Sequence, residues 1–124
     1  PAAGHLFTVT RSPTSRFVVV DTKTGALVGE PLACVDQVES LWWDPVQRRV
    51  YASGGGSGGR VDIFQQAPGA EGKPPSYSLL HSETTAAGAC TSIFVPEQRR
   101  LIVAAPQFAG SADPTFLYVY LVGP

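Results

Sequence analysis

The chain has 124 residues, with nine Lys and Arg against ten Asp and Glu and a formal charge of −1 at pH 7. That length suffices for one modest hydrophobic core and is short for a multi-domain protein, and a near-neutral chain has no broad electrostatic attraction to nucleic acid or an anionic membrane. No apolar stretch reaches the roughly 18 residues of a membrane-spanning helix, and the N-terminus carries no basic region followed by a signal-type hydrophobic core, although an export signal removed earlier would leave no trace.

Thirteen glycines, eleven prolines and no methionine suit short strands and many turns. Residues 5–10 make a first strand candidate, followed by a polar turn, residues 11–15, with Pro13 inside it. Residues 16–20 are dense in β-branched side chains and read as a buried strand. Asp21-Thr22-Lys23-Thr24-Gly25 then reverses the chain: Gly25 tolerates a positive φ, and Asp21 and the threonines can bond nearby backbone. Residues 26–32 lead outward as a weaker strand, with Pro31 suited to an edge.

Residues 35–39 form a connector and residues 40–43 the next strand. Asp44-Pro45-Val46-Gln47 is a turn, residues 48–53 a strand, and the glycine run 54–59 a flexible hairpin linker to a strand at 60–65. Residues 66–76, rich in Pro, Gly and Ala, form an exposed loop. An outer strand follows at 77–83 and a small-residue connector at 84–89. After a further strand pair within 91–104 and a polar turn at 106–114, residues 115–122 alternate. Phe116, Tyr118 and Tyr120 share one face and Leu117, Val119 and Leu121 the other. No window combines helical periodicity with good helix formers.

Residues 40–53 and 91–104 superimpose without a gap at an offset of about 51 residues. Pro45 meets Pro96, and the Gln-Arg-Arg triplets at 47–49 and 98–100 coincide. A weaker copy lies at an offset of about 44, with Leu6-Phe7 on Val50-Tyr51 and 17–20 on 61–64. Such spacings belong to radial repeats of four-stranded sheets. The pattern predicts an all-β fold, a partial β-propeller of about two and a half four-stranded antiparallel blades. These lie at roughly 1–33, 37–83 and 90–124 of one unit, with three, four and three strands. A ring needs at least four blades, so the chain is expected to be part of something larger, either a fragment of a longer parent or a subunit completed by copies of itself or by another propeller chain. A self-contained β-sandwich is the alternative.

Asp21–Gly25 after a Val-rich strand, then Asp44-Pro45 and Arg48-Arg49-Val50-Tyr51-Ala52, resembles the repeat of YVTN-type β-propellers. Residues 91–97 with 100–104 are similar to the last blade of the bacterial YncE-like group. The resemblance implies a ring of six to eight blades, export to the periplasm or cell surface, and activities mostly unassigned. The streptogramin lyase type, related by fold, is a metal-dependent enzyme. A lyase or hydrolase site formed only in a complete ring is therefore the second functional expectation, with no catalytic His and acid cluster here to carry over.

The chemistry candidates are sparse. Gly54–Gly59 satisfies G-x-G-x-x-G but opens a strand, whereas a dinucleotide site needs the loop to open a helix. His5 and His81 lack metal-ligand companions beyond Glu83, which shares a strand face with His81. Ser82 or Ser92 with His81 has no nucleophile-elbow motif, and Cys90 has no local signal of a lowered pKa. Asp21, Asp44 and Asp113 stand where turns want an acceptor, Asp36 is a further carboxylate, and Asp62 replaces an apolar strand residue and either pairs with Arg60 or reaches solvent. Cys34 and Cys90, each near the entry to an inner strand, are either bonded to each other or, in the favoured reading, two small buried side chains. No catalytic, cofactor or metal residue is assigned. Trp42, Trp43, Arg49, Phe94 and Arg100 are the interface or channel candidates: the tryptophans point to opposite faces, and the recurring arginines mark a rim or pair with a neighbouring blade's carboxylates. The expected function is an interaction and assembly module, with a non-enzymatic role placed ahead of the lyase or hydrolase reading.

Overall fold

In the computed structural model the described residues are 4–11, 14–107, 112 and 114–123. Pro13 of the first expected turn and Asp113 of the last lie outside them.

Among the described residues ten strands form three antiparallel sheets of three, four and three strands. The first sheet is β1 (His5–Thr10), β2 (Arg16–Asp21) and β3 (Leu32–Ala33), the second β4 (Val38–Asp44), β5 (Arg49–Gly54), β6 (Arg60–Ala67) and β7 (Ser76–Thr84), and the third β8 (Ser92–Val95), β9 (Arg100–Ala105) and β10 (Phe116–Leu121). Within each sheet the strands follow chain order, as short turns require. The repeat is visible in the register: Val50 pairs with Trp43 and Phe64, and Leu101 pairs with Phe94 and Tyr120. β4 and β8 thus sit in different sheets, which agrees with their reading as equivalent strands.

Period-two alternation makes each strand two-sided, and in the middle sheet both sides are covered. Val50, Ala52 and Phe64 join Phe17 and Val19 of the first sheet in one core cluster, whereas Tyr51 and Val61 join Phe94, Leu101 and Val103 of the third sheet in another. The sheets therefore stack face to face in chain order, and consecutive residues of β5 enter different cores. Phe17 stacks on Phe64 with centroids 4.3 Å apart, and Tyr51 meets Phe94 at 5.5 Å.

The turns follow from local chemistry. Asp21 Oδ1 accepts from the backbone N–H groups of Lys23 and Thr24, and Gly25 has φ +73°. The Gln-Arg-Arg recurrence has a backbone cause: its first arginine, Arg48 or Arg99, takes the left-handed conformation at φ 53° or 52°, which closes the turn. A 3-10 turn, Pro96–Gln98, precedes Arg99. Among the described residues no helix is long and apolar enough to cross a membrane.

Three expectations need correction. The strand expected at 26–32 is reduced to β3 and a lone bridge between Val20 and Leu27, because Gly29 turns to φ +74° and Pro31 has no N–H to give the ladder. The loop expected at 66–76 contracts to 68–75, since β6 runs on to Ala67 and β7 starts at Ser76. The glycine run is no loose linker. Gly54, Gly55, Gly56 and Gly59 are buried, and ideal Cβ atoms on Gly54 and Gly55 would lie 2.5 Å from the Asp36 carbonyl oxygen and 2.6 Å from Gly88 Cα. Glycine is required there because two other loops lie against the backbone.

Candidate functional site

What the stack leaves open is a pair of sheet faces. In the third sheet, alternation places Leu101, Val103, Tyr118 and Tyr120 against the middle sheet and leaves Ile93, Ile102, Leu117, Val119 and Leu121 on the far side. Four of these are well exposed: Ile93 50%, Leu117 62%, Val119 55% and Leu121 79%. In the first sheet, Phe7, Val9, Phe17 and Val19 face inward, and the far side carries Leu6, 55% exposed, Thr8, Val18, Val20 and, beside it, Leu27 at 56%. Single exposed apolar residues are ordinary, but several in register on one sheet face form a patch of the kind that marks an interaction surface.

The expected site residues divide around this surface. Trp42 and Trp43 do point to opposite sides, and each packs on a different core cluster. The Trp42 Nε1–H donates to the Ser92 carbonyl at 3.0 Å, and the Trp43 ring lies 5.4 Å from Phe7. Phe94 is buried between Tyr51 and Arg99, whose guanidinium stands 5.6 Å from its ring centre. The half-buried Arg49 donates from Nε to Gln65 Oε1 at 3.0 Å. Only Arg100 is exposed beside the uncovered face, paired across the ladder with Leu121. The leucines and Val119 were visible in the sequence as one side of a strand; nothing local tells which side stays bare.

A buried clip joins the second and third sheets. Asp44, with no exposed surface, receives Arg99 through both oxygens, at 2.9 and 2.6 Å. It also accepts from the backbone of Val46 and Gln47 at 3.0 and 3.2 Å and from the Tyr51 hydroxyl at 3.1 Å. Burial pushes the Asp44 carboxyl up, but the Arg99 hydrogen bonds together with those of Gln47, Tyr51 and Val46 hold it below the usual aspartate range. The same environment pushes Tyr51 up to about 12, through burial first and the Asp44 charge second. Pairing of the turn arginine with the adjacent sheet's carboxylate agrees with the bland reading of the recurring arginines; Arg99, not Arg100, makes the pair.

Asp62 is the second saturated carboxylate. It does pair with Arg60, at 2.8 and 3.1 Å, and does not reach solvent. It also takes the Val35 backbone N–H at 2.7 Å and the Ser82 hydroxyl at 2.6 Å. Because both of its oxygens have donors, it ties the 34–37 connector to β6 and β7. Ser82 is thereby turned from His81, which bonds Glu83 at 2.9 Å, and Ser92 bonds the Ser53 hydroxyl. The cysteines are free. Cys34 is buried as expected and its thiol is pushed up to about 12 by burial and then by Asp62, whereas Cys90 is only half-buried and bonds Glu39 at 3.2 Å. Among the described residues no three His, Cys, Asp or Glu side chains gather as a metal set.

No family model, curated protein or solved structure matches this chain.

An open groove of about 480 Å³ between the first sheet and the 68–75 loop is lined by Phe17, Val28, Leu32, Pro74 and Tyr77, with Glu30 and Lys73 among its lining residues. Its lining includes no histidine or cysteine. The uncovered faces remain the feature with a physical demand attached.

Proposed function

We propose that this chain is an assembly module, a propeller-type stack whose two terminal sheets are completed by further β-sheet. The observation that carries this reading is the contrast between the middle sheet, apolar and covered on both sides, and the outer sheets, each covered on one side only. Covering a well-exposed leucine, isoleucine or valine contributes on the order of 1–2 kcal/mol, so a face with four such positions, Ile93, Leu117, Val119 and Leu121, favours association once the entropy of docking is met.

The YVTN and YncE-like resemblance of the turns and triplets supports the same reading. On it, residues 1–124 form one partial unit with blades near 1–33, 37–83 and 90–124, and the protein works in the periplasm or outside the cell.

Mass in solution tests the proposal. By light scattering the chain is expected above its 13.1 kDa monomer mass, and Leu117→Lys with Val119→Lys is expected to reduce it to monomer. Both positions are exposed, so stability should change by no more than about 0.5 kcal/mol. A stable wild-type monomer at high concentration removes the proposal for the isolated chain.

A further inference from the structure

We infer that the occupant of these faces is a second copy of this chain, docked head to tail, with the third sheet of one copy against the first sheet of the other. The inference rests on the assembly reading and adds the identity and polarity of the partner.

The polarity comes from the two sheet-to-sheet contacts already inside the chain. In the first, the middle sheet uses Val50, Ala52 and Phe64 to meet Phe17 and Val19; in the second, the third sheet uses Leu101, Val103 and Phe94 to meet Tyr51 and Val61. Val50 and Leu101 hold the same ladder position, Val50 opposite Trp43 and Leu101 opposite Phe94. Each sheet therefore presents one kind of side backward along the chain and the other kind forward. The uncovered side of the third sheet is of the forward kind. Its Ile102, opposite Val119, matches Tyr51, opposite Ile63, on the face where the third sheet itself sits.

The uncovered side of the first sheet is of the backward kind. Leu6 opposite Val20 matches Val50 opposite Phe64. A forward side against a backward side repeats a contact that this chain makes twice, and it buries Leu117, Val119 and Ile93 against Leu6, Val20 and Leu27. Two like sides would reproduce no contact in the molecule. Such a heterologous contact either closes a ring or runs on as a filament. Two copies bring six sheets, within the roughly four to eight that radial arrangements close with, so a closed dimer is the expected product.

Sedimentation velocity on the full chain, from low to high micromolar concentration, separates the possibilities. The variants are Val119→Lys for the forward face and Leu6→Lys for the backward face, with Leu117→Lys and Leu27→Lys as second choices and circular dichroism to verify folding. Wild type is expected to form a dimer. Either variant alone should dissociate at least about 100-fold more readily, and an equal mixture of the two should recover a dimer through the one intact forward–backward pair. Undiminished dimerisation by either variant alone overturns the head-to-tail inference while leaving the assembly reading in place. A wild-type chain that stays monomeric throughout overturns both.

Discussion

Gly59→Ala is expected to unfold the chain or lower its Tm by more than about 15 °C. The added Cβ would lie 1.8 Å from the Ala86 carbonyl oxygen and 2.4 Å from its carbonyl carbon, at a φ of +84° that L residues rarely adopt. No side chain rotates to relieve this, because the obstacle is backbone. The same segment holds the Gly59–Gly56 and Thr85–Gly59 hydrogen bonds, so a shift of the 85–88 loop gives up further bonds in a buried place. A loss of at least about 4 kcal/mol follows, a large part of what a domain this size has. Gly58→Ala is the control. Gly58 also has a positive φ, +86°, but nothing lies within 4 Å of an added Cβ, so only the left-handed conformation opposes the change, at about 1 kcal/mol. Thermal unfolding of the two variants checks the contrast; equal losses would mean that the glycine run is not packed as described.

Asp44→Ala carries the second large effect. It removes five hydrogen bonds at once from a side chain with no exposed surface and leaves the Tyr51 hydroxyl and the Arg99 guanidinium beside an apolar core. Breaking one partner out of a buried ion pair costs about 3 kcal/mol or more, or roughly 10 °C in a chain of this length. Asp44→Asn keeps the turn acceptor but loses the charge, and should fall between wild type and alanine. The pH dependence has a definite sign. Because the folded carboxyl titrates below its ordinary value of 3.8, its contribution is complete above that value and is lost as pH falls through the lower folded pKa. Asp21, held low by the Thr24 and Lys23 backbone N–H groups, acts in the same direction. Denaturant titrations between pH 7 and pH 2 should therefore show wild type losing its advantage over Asp44→Asn only at the acid end. A constant difference across that range would contradict the electrostatic account of the clip.

These two sites also mark where sequence reading stops. Strands such as His5–Thr10 and Arg16–Asp21 were legible because alternation and β-branched density are local properties. So was the repeat, because Trp43 and Phe94, or Val50 and Leu101, recur at a fixed spacing. Asp44 was legible as a turn acceptor for the same reason. Its bond to Arg99 was not, since it joins residues 55 positions apart. Gln-Arg-Arg alone also does not tell which arginine takes the left-handed turn position and so points at the neighbouring sheet. The glycine run failed for a like cause: its density signals freedom, whereas residues 36 and 86–88, distant in the chain, take the space that side chains would fill. Leu117, Val119 and Leu121 were identified as one side of a strand, but their exposure depends on how many sheets stack.

Side-chain footprinting with hydroxyl radicals across a concentration series tests the central claim most directly, because it reads the two faces separately in the unmodified chain. With assembly through both, the reactivity of Leu117, Val119 and Leu121 and that of Leu6 and Leu27 should fall together as concentration rises, while Phe64 and Tyr51 stay protected throughout. Leucines on either face that remain as reactive in the concentrated sample as in the dilute one would contradict it.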